Sequence, residues 1–315
     1  MAIGDPMILR TMWGGDYASG GNYKSLIVNG ELETWANPNS IADSFEFVTT
    51  YQGPGVKSRQ AGCRGSYGSY YQRCYWASAS SATGGGELIR IYQTVRLYGN
   101  RQLPGRGHYG LPFTMDYWVR AGAGDTGSVR VNYQIREYDE DMNLIYSPDT
   151  YTGNLAKGTW VKYAYTRNIA MTSAAYIQFF LLFQCTSSGT VTFDLDDMRL
   201  YRSYTFARNP AIPDQQTQDT VGRSFTRSLD GTLRQARIDS WTAKYEKRLQ
   251  FGMISIEQVK ELRSFILLSA PVELSPYHPH MPDRLEAHIV SPDNFVPVKS
   301  LGPGIYTGNM VLSQL

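Results

Sequence analysis

The stretch Val191-Thr-Phe-Asp-Leu-Asp-Asp-Met-Arg-Leu-Tyr201 decides how this chain is read. Val191, Phe193 and Leu195 alternate with polar residues, the period of a strand that buries one face, and Asp194, Asp196 and Asp197 stand between apolar positions. Near the other end, Leu26-Ile-Val-Asn-Gly-Glu-Leu-Glu-Thr-Trp35 runs an apolar strand into an Asn-Gly turn signal. Between these two, strand patterns recur at 44–50, 88–98, 111–121, 128–138, 159–169 and 174–184, and the closing one covers 190–202. With 26–32 that makes eight strands and no long helix between them, the signature of a jelly-roll β-sandwich.

Composition agrees. The chain of 315 residues is 42% hydrophobic and 18% charged, a globular balance with room for two domains. Its 23 Tyr, 30 Gly and 15 Pro suit pleated surfaces joined by tight turns. A net charge of +2 with scattered Lys and Arg argues against nucleic acid as a partner. The start, Met1-Ala-Ile-Gly-Asp-Pro-Met7, lacks the basic cap and unbroken apolar run of a signal peptide, and the longest apolar run, 174–183, is about half of what a bilayer requires. A protein made in the cytoplasm, without membrane insertion, is expected. Cys63, Cys74 and Cys185 form no metal or redox pair spacing, although Cys63 and Cys74 would close a loop under oxidising conditions.

Four segments follow. Residues 1–21 read as a flexible arm rich in Gly and Met, 22–203 as the jelly roll, 204–222 as a polar, Pro-marked linker, and 223–315 as a second domain. Within the jelly roll, 53–86 is a large Gly/Ser/Tyr excursion with room for one or two short strands. In the second domain Ser255 and Gln258 form a capping box before a helix whose Ile256, Val259, Leu262 and Phe265 or Ile266 share a face, and a small β-sandwich with this one helix packed on it is expected.

Alternation then assigns faces. Ile89, Ile91, Val95 and Leu97 share one, as do Phe113, Met115, Tyr117 and Val119; Val129, Val131, Tyr133 and Ile135; and Ile177, Phe179, Leu181 and Phe183. These are the expected core. The opposite faces carry aromatics mixed with amides and guanidiniums, among them Arg90, Asp116, Arg120, Asn132 and Arg136. A pyranose lays its apolar CH face on an aromatic ring and offers its hydroxyls to planar donors and acceptors. Tyr92, Trp118, Gln134, Gln178 and Phe180 are therefore the candidate carbohydrate contacts. The competing reading has these residues covered by the 53–86 excursion, by the second domain or by a neighbouring subunit.

The motifs Asn29-Gly-Glu-Leu-Glu-Thr-Trp35, Ile91-Tyr-Gln-Thr-Val95, Phe113-Thr-Met-Asp-Tyr-Trp-Val-Arg-Ala121 and Gly189-Thr-Val-Thr-Phe-Asp-Leu-Asp-Asp-Met-Arg-Leu200 together resemble the carbohydrate-binding modules of the CBM4/9 type. That resemblance implies a structural Ca²⁺ joining the first and last strands, with Glu33 and Asp196 at the matching positions; the alternative is surface acids holding no ion.

Nothing points to an enzyme. There is no Gly-x-Ser-x-Gly elbow, no phosphate loop and no dinucleotide fingerprint, and His278-Pro-His280 with His288 reads as loop histidines. The acids in Glu137-Tyr-Asp-Glu-Asp141 read as a solvated hairpin tip rather than a glycosidase pair.

In the second domain, Phe225-Thr-Arg-Ser-Leu-Asp-Gly-Thr232, Trp241-Thr-Ala-Lys-Tyr245 before the helix, and Gly304 to Leu315 resemble the tail-tube-like domains of tailed-phage virion proteins, distal tail proteins included. This implies a ring of copies, a hexamer, made with other virion proteins. The combined expectation is a structural virion component of the tail or neck whose jelly roll faces host-surface polysaccharide. A capsid decoration or collar protein and a free carbohydrate-binding protein are the alternatives.

Overall fold

The computed structural model describes residues 6–11, 26–27, 32, 35–39, 42–49, 55–62, 69–97, 104–207, 209–211, 223–227, 233–237, 246–268, 270–275, 285–290, 294–298 and 303–314. Glu33, Cys63, His278, His280 and most of the opening stretch from Leu26 to Trp35 lie outside the described residues. In chain order the elements are β1 (Ile8–Thr11), β2 (Glu46–Thr49), β3 (Val56–Ala61), β4 (Tyr70–Ala79), β5 (Glu87–Arg96), β6 (Pro112–Ala121), β7 (Ser128–Tyr138), β8 (Leu144–Tyr146), β9 (Val161–Asn168), β10 (Tyr176–Ser187), β11 (Gly189–Tyr201) and β12 (Ser203–Thr205). Then come β13 (Arg223–Arg227), β14 (Leu233–Arg237), β15 (Glu246–Ser255), helix α1 (Ile256–Leu268), β16 (Val272–Ser275), β17 (Leu285–Ile289), β18 (Val296–Pro297) and β19 (Ile305–Gln314). They fall into two compact units, Arg10–Tyr204 and a second made of Met1–Leu9 with Thr205–Leu315.

The first unit is the jelly roll. Two antiparallel five-stranded sheets, β2-β5-β10-β7-β8 and β3-β4-β11-β6-β9, bury their inner faces against each other. The excursion at 53–86 supplies β3 and the ten-residue β4, which pairs with β11 in the second sheet. The two central strands, β10 and β11, follow one another directly, so the chain leaves one sheet and enters the other at Gly189. There φ is +143°, and a Cβ would lie 2.5 Å from Thr126 Oγ1 and 2.7 Å from the Gly127 nitrogen. Only glycine fits both the conformation and the space. This crossing stacks Phe183 of β10 on Phe193 of β11, ring centroids 3.6 Å apart, at the centre of the core.

The core is the set that alternation picked out: Ile89, Ile91, Phe113, Met115, Tyr117, Val119, Val129, Val131, Ile135, Ile177, Phe179, Leu181 and Phe183 are buried. Val95 and Tyr133 are half-buried. One end of the sandwich is closed by charge. Glu137 of β7, fully buried, pairs with Arg167 of β9 at 2.5 Å and accepts the N–H groups of Ala170 and Met171, each at 2.9 Å. A buried carboxylate is tolerable only when saturated in this way. Glu137 is thus set apart from the acid run that follows it, in which Asp139 caps a tight turn by accepting the N–H groups of Asp141 and Asn143.

The second unit contains sheet strands ordered β16-β17-β19-β15, with β18 pairing β19 and Ile8–Leu9 of β1 beside β16, and a separate two-stranded ribbon, β13-β14. The β-structure and the one helix among the described residues match the sequence reading, and α1 packs on β15 and β19. The capping box is reciprocal: Ser255 N–H donates to Gln258 Oε1 at 3.0 Å and Gln258 N–H donates to Ser255 Oγ at 3.3 Å. Val259, Leu262 and Phe265 form the buried stripe, and Ile266 is half-buried. Part of the expected arm is structured, because Ile8–Thr11 is a strand with Leu9 fully buried. No helix among the described residues is long and apolar enough to cross a membrane.

Candidate functional site

The outward face of the β2-β5-β10-β7-β8 sheet can be mapped from its register, because residues paired across neighbouring strands point the same way. One row runs Arg96, Tyr176, Tyr138; the next Thr94, Gln178, Arg136; the next Glu46, Tyr92, Phe180, Gln134. Beyond these lie Arg90 with Leu182 and Asn132, then Glu87 with Gln184 and Arg130. Four of the five candidate contacts, Tyr92, Gln134, Gln178 and Phe180, therefore meet on one face. Trp118 does not join them. It belongs to β6 in the other sheet, opposite Asp196 and Lys162. Alternation correctly made Trp118 outward-facing, but it does not say which sheet a strand enters.

The geometry corrects the expected platform in a second way. Phe180 is 2% exposed, Gln178 5% and Gln134 1%, so these three form a floor rather than a contact surface. The Arg136 guanidinium lies over the Phe180 ring at 3.3 Å, and Tyr92 stacks beside the same ring with centroids 6.4 Å apart and planes at 25°. Arg136 donates from Nε to Gln134 Oε1 at 2.6 Å, which holds the guanidinium in place. Tyr138 donates its hydroxyl proton to Gln178 Oε1 at 3.0 Å, and Gln178 Nε2 donates to Thr94 Oγ1 at 3.1 Å. Side chains locked by two partners each are preorganised, and little rotamer freedom is left to lose on binding.

After β8 the chain leaves the β7 edge at Ser147-Pro148-Asp149, where proline lacks the N–H a ladder needs, and rejoins it as Tyr133 N–H donates to the Thr150 carbonyl at 2.8 Å. The detour places Ser147 Oγ 2.7 Å from Gln134 Oε1, and Asp149 Oδ1 accepts from Gln134 Nε2 at 2.7 Å and Asn132 Nδ2 at 3.1 Å. Arg136 already stood among the outward residues, but its stacking role, and the part of Asp149, carried no periodic signal. Burial, with Glu46 nearby, raises the pKa of the Tyr92 hydroxyl, and burial lowers that of Arg136 against the opposing effect of Tyr138.

The outward face of the other sheet holds a charge cluster. Buried Asp194 receives Arg73 Nε at 2.7 Å and Nη2 at 2.9 Å, together with Arg120 Nε at 2.8 Å. Arg120 lies 4.6 Å over Trp160, and Tyr71 meets Trp160 edge-on. Asp196 is buried at a β-bulge where register shifts between Asp196 and Arg199 and Asp197 adopts φ +47°. Its Oδ1 accepts the N–H of Asp197 at 2.8 Å. Among the described residues no group of three or more His, Cys, Asp or Glu could hold a metal ion; of the expected calcium pair only Asp196 is described, because Glu33 lies outside the described residues. Cys74 and Cys185 are buried free thiols, and burial pushes the Cys74 thiol far up. His108 is fully buried edge-on to Phe113, whereas His288 is exposed on β17.

No protein-family model matches the sequence, and no curated protein matches it. Solved structures similar to the chain include the enzymatically active domain of tailspike protein 4 of bacteriophage CBA120, at 14% identity and a TM-score of 0.40 over 57% of this chain and 21% of that one. Another is a family 61 carbohydrate-binding module in complex with β-1,4-galactotriose, at 8% identity and a TM-score of 0.36 over 56% of this chain and 98% of that one. A third is the CBM22-1 xylan-binding domain of Xyn10C from Paenibacillus barcinonensis, at 10% identity and a TM-score of 0.35 over 56% and 94%.

Proposed function

We propose that the jelly roll binds a glycan without catalysis, through the β5-β10-β7 face, as the outward module of a structural component of a tailed-phage virion. The observation that carries the binding part is the cluster Tyr92, Phe180 and Arg136, in which the Phe180 ring stacks beside Tyr92 and lies under the guanidinium, with the amides of Gln134 and Gln178 fixed on either side. Buried Phe180, Gln134 and Gln178 make the floor; half-buried Tyr92, Arg136 and Tyr138 present ring edges and planar donors to a sugar.

Binding to a panel of polysaccharides by affinity electrophoresis tests this. Tyr92→Ala should weaken binding roughly tenfold or more, about 1.4 kcal/mol, while Trp118→Ala, on the other sheet, leaves it unchanged. Full affinity in Tyr92→Ala would place the ligand elsewhere.

The virion part rests on the order of elements after the jelly roll, ribbon β13-β14, strand β15, helix α1 and strands β16 to β19, beside the sequence resemblance to tail-tube-like domains. It expects a ring of copies by light scattering and the chain in purified particles. A monomer absent from particles would favour a free carbohydrate-binding protein, and a particle protein that binds no glycan a decoration or collar role. A structural Ca²⁺ between Glu33 and Asp196 belongs to the same proposal, and a fall in melting temperature on chelation tests it.

A further inference from the structure

Two of the guanidiniums on the proposed face meet no carboxylate in a direct ion pair among the described residues. Four guanidiniums stand on it, Arg90 and Arg96 on β5 and Arg130 and Arg136 on β7. Arg90 pairs with Glu87 at 2.7 Å, and Arg96 reaches Glu140 at 3.4 Å. Arg130 and Arg136 form no ion pair among the described residues. Arg130 donates to the Gln184 amide oxygen at 3.1 Å and lies 4.6 Å over the exposed ring of Tyr151. Arg136 donates to the Gln134 amide oxygen and lies over Phe180. Asp149 comes close to Arg136, but its Oδ1 is taken by the amides of Asn132 and Gln134.

A further observation points the same way. Arg90 and Arg136 stand close enough to repel each other, which adds to the lowering of the Arg136 pKa by burial. An anion seated between them removes that repulsion.

We infer that the ligand of this face is an acidic glycan, a polymer whose carboxylate or phosphate groups meet Arg136 and Arg130 while a sugar ring lies against Tyr92. This rests on the glycan reading above and adds the ligand's charge. The planar fork of arginine matches both oxyanions bidentately. Arg130 and Arg136 are six positions apart on one strand, about 20 Å at roughly 3.3 Å per residue, a spacing that a polymer bridges and a monosaccharide does not. Nucleic acid is the other polyanion that such a row would attract, but the amide floor and the single exposed edge of Tyr92 suit hydroxyls better than stacked bases.

Titration calorimetry on the full chain decides. Its ligands are polygalacturonate for carboxylate, a wall teichoic acid for phosphate, neutral xylan and galactan, and duplex DNA. One of the two acidic polymers should bind at least about tenfold tighter than the neutral ones and weaken as salt rises from about 50 to about 500 mM. Arg136→Gln should erase that preference, and Arg136→Lys should restore only part of it. Arg90→Gln is the second variant, because it leaves the cover over Phe180 in place; it should also reduce acidic binding severalfold. Equal binding of neutral and acidic polymers, lost in Tyr92→Ala but kept in Arg136→Gln and Arg90→Gln, overturns the charge inference and leaves the glycan reading standing. No binding of any polysaccharide overturns both. Tighter binding of DNA than of either acidic polymer overturns the inference in favour of a nucleic-acid face.

Discussion

Glu137 is the residue on which the end of the sandwich depends. Its carboxylate lies in the interior, shared between Arg167 and two backbone N–H groups, and the Arg167 side chain is itself only 9% exposed. Removing one partner strands the other charge where water cannot reach it. Glu137→Ala should therefore destabilise the jelly roll by about 3–5 kcal/mol in urea denaturation; a loss under about 1 kcal/mol would mean that the pair does not hold β7 to β9. Such residues were the least legible in the sequence. Glu137 sits in a run of acids with the composition of a hairpin tip, and Asp139 to Asp141 do form one, but whether a carboxylate meets its guanidinium thirty residues away depends on the tertiary fold. The same holds for Phe180, an outward aromatic by alternation that Arg136 covers.

At the scale of elements the sequence was more informative, because the two-residue period survives whatever the strands pack against. The core faces of β5, β6, β7 and β10 were all assigned, and the observed β7 spans 128–138 as expected. Two kinds of information were missing. Short strands such as β8, with three residues, and β1, with four, carry too few alternations to stand out. Sheet membership is not periodic at all, which is why Trp118 was grouped with Tyr92. The crossing from β10 to β11 sorts the strands into two sheets, and it depends on Gly189. A Cβ there would be strained at φ +143° and would collide with the backbone of Gly127. Gly189→Ala should cost about 1–3 kcal/mol by thermal or urea unfolding. A neutral result would show that the hairpin shifts to make room and that the crossing does not need glycine.

On the scale of the whole molecule, the second unit is not contiguous in sequence. Strand β1, inside an expected arm, lies beside β16 in the sheet that carries α1, so Ile8 and Leu9 extend a sheet built mainly from residues after Thr205. Within this unit Met7 N–H donates to Asn209 Oδ1 at 2.8 Å, Phe206 N–H donates to the Met7 carbonyl at 2.9 Å, and Met7, Leu9 and Phe206 are buried. Loss of Ile8 and Leu9 therefore bares the β16 edge and uncovers a patch of core. Burial of Leu9 alone is worth about 1.5–3 kcal/mol. Deleting residues 1–9 should therefore strip hydrogen-exchange protection from Val272–Ser275 and then from Leu285–Ile289, while β5, β7 and β10 of the jelly roll keep theirs. Supplying the nine residues as a peptide should restore part of the protection, because the docking groups of Asn209 and Phe206 remain in place. If β16 and β17 exchange at the same rate with and without residues 1–9, the second unit folds on the chain after Thr205 alone and the opening residues are the arm that their composition describes.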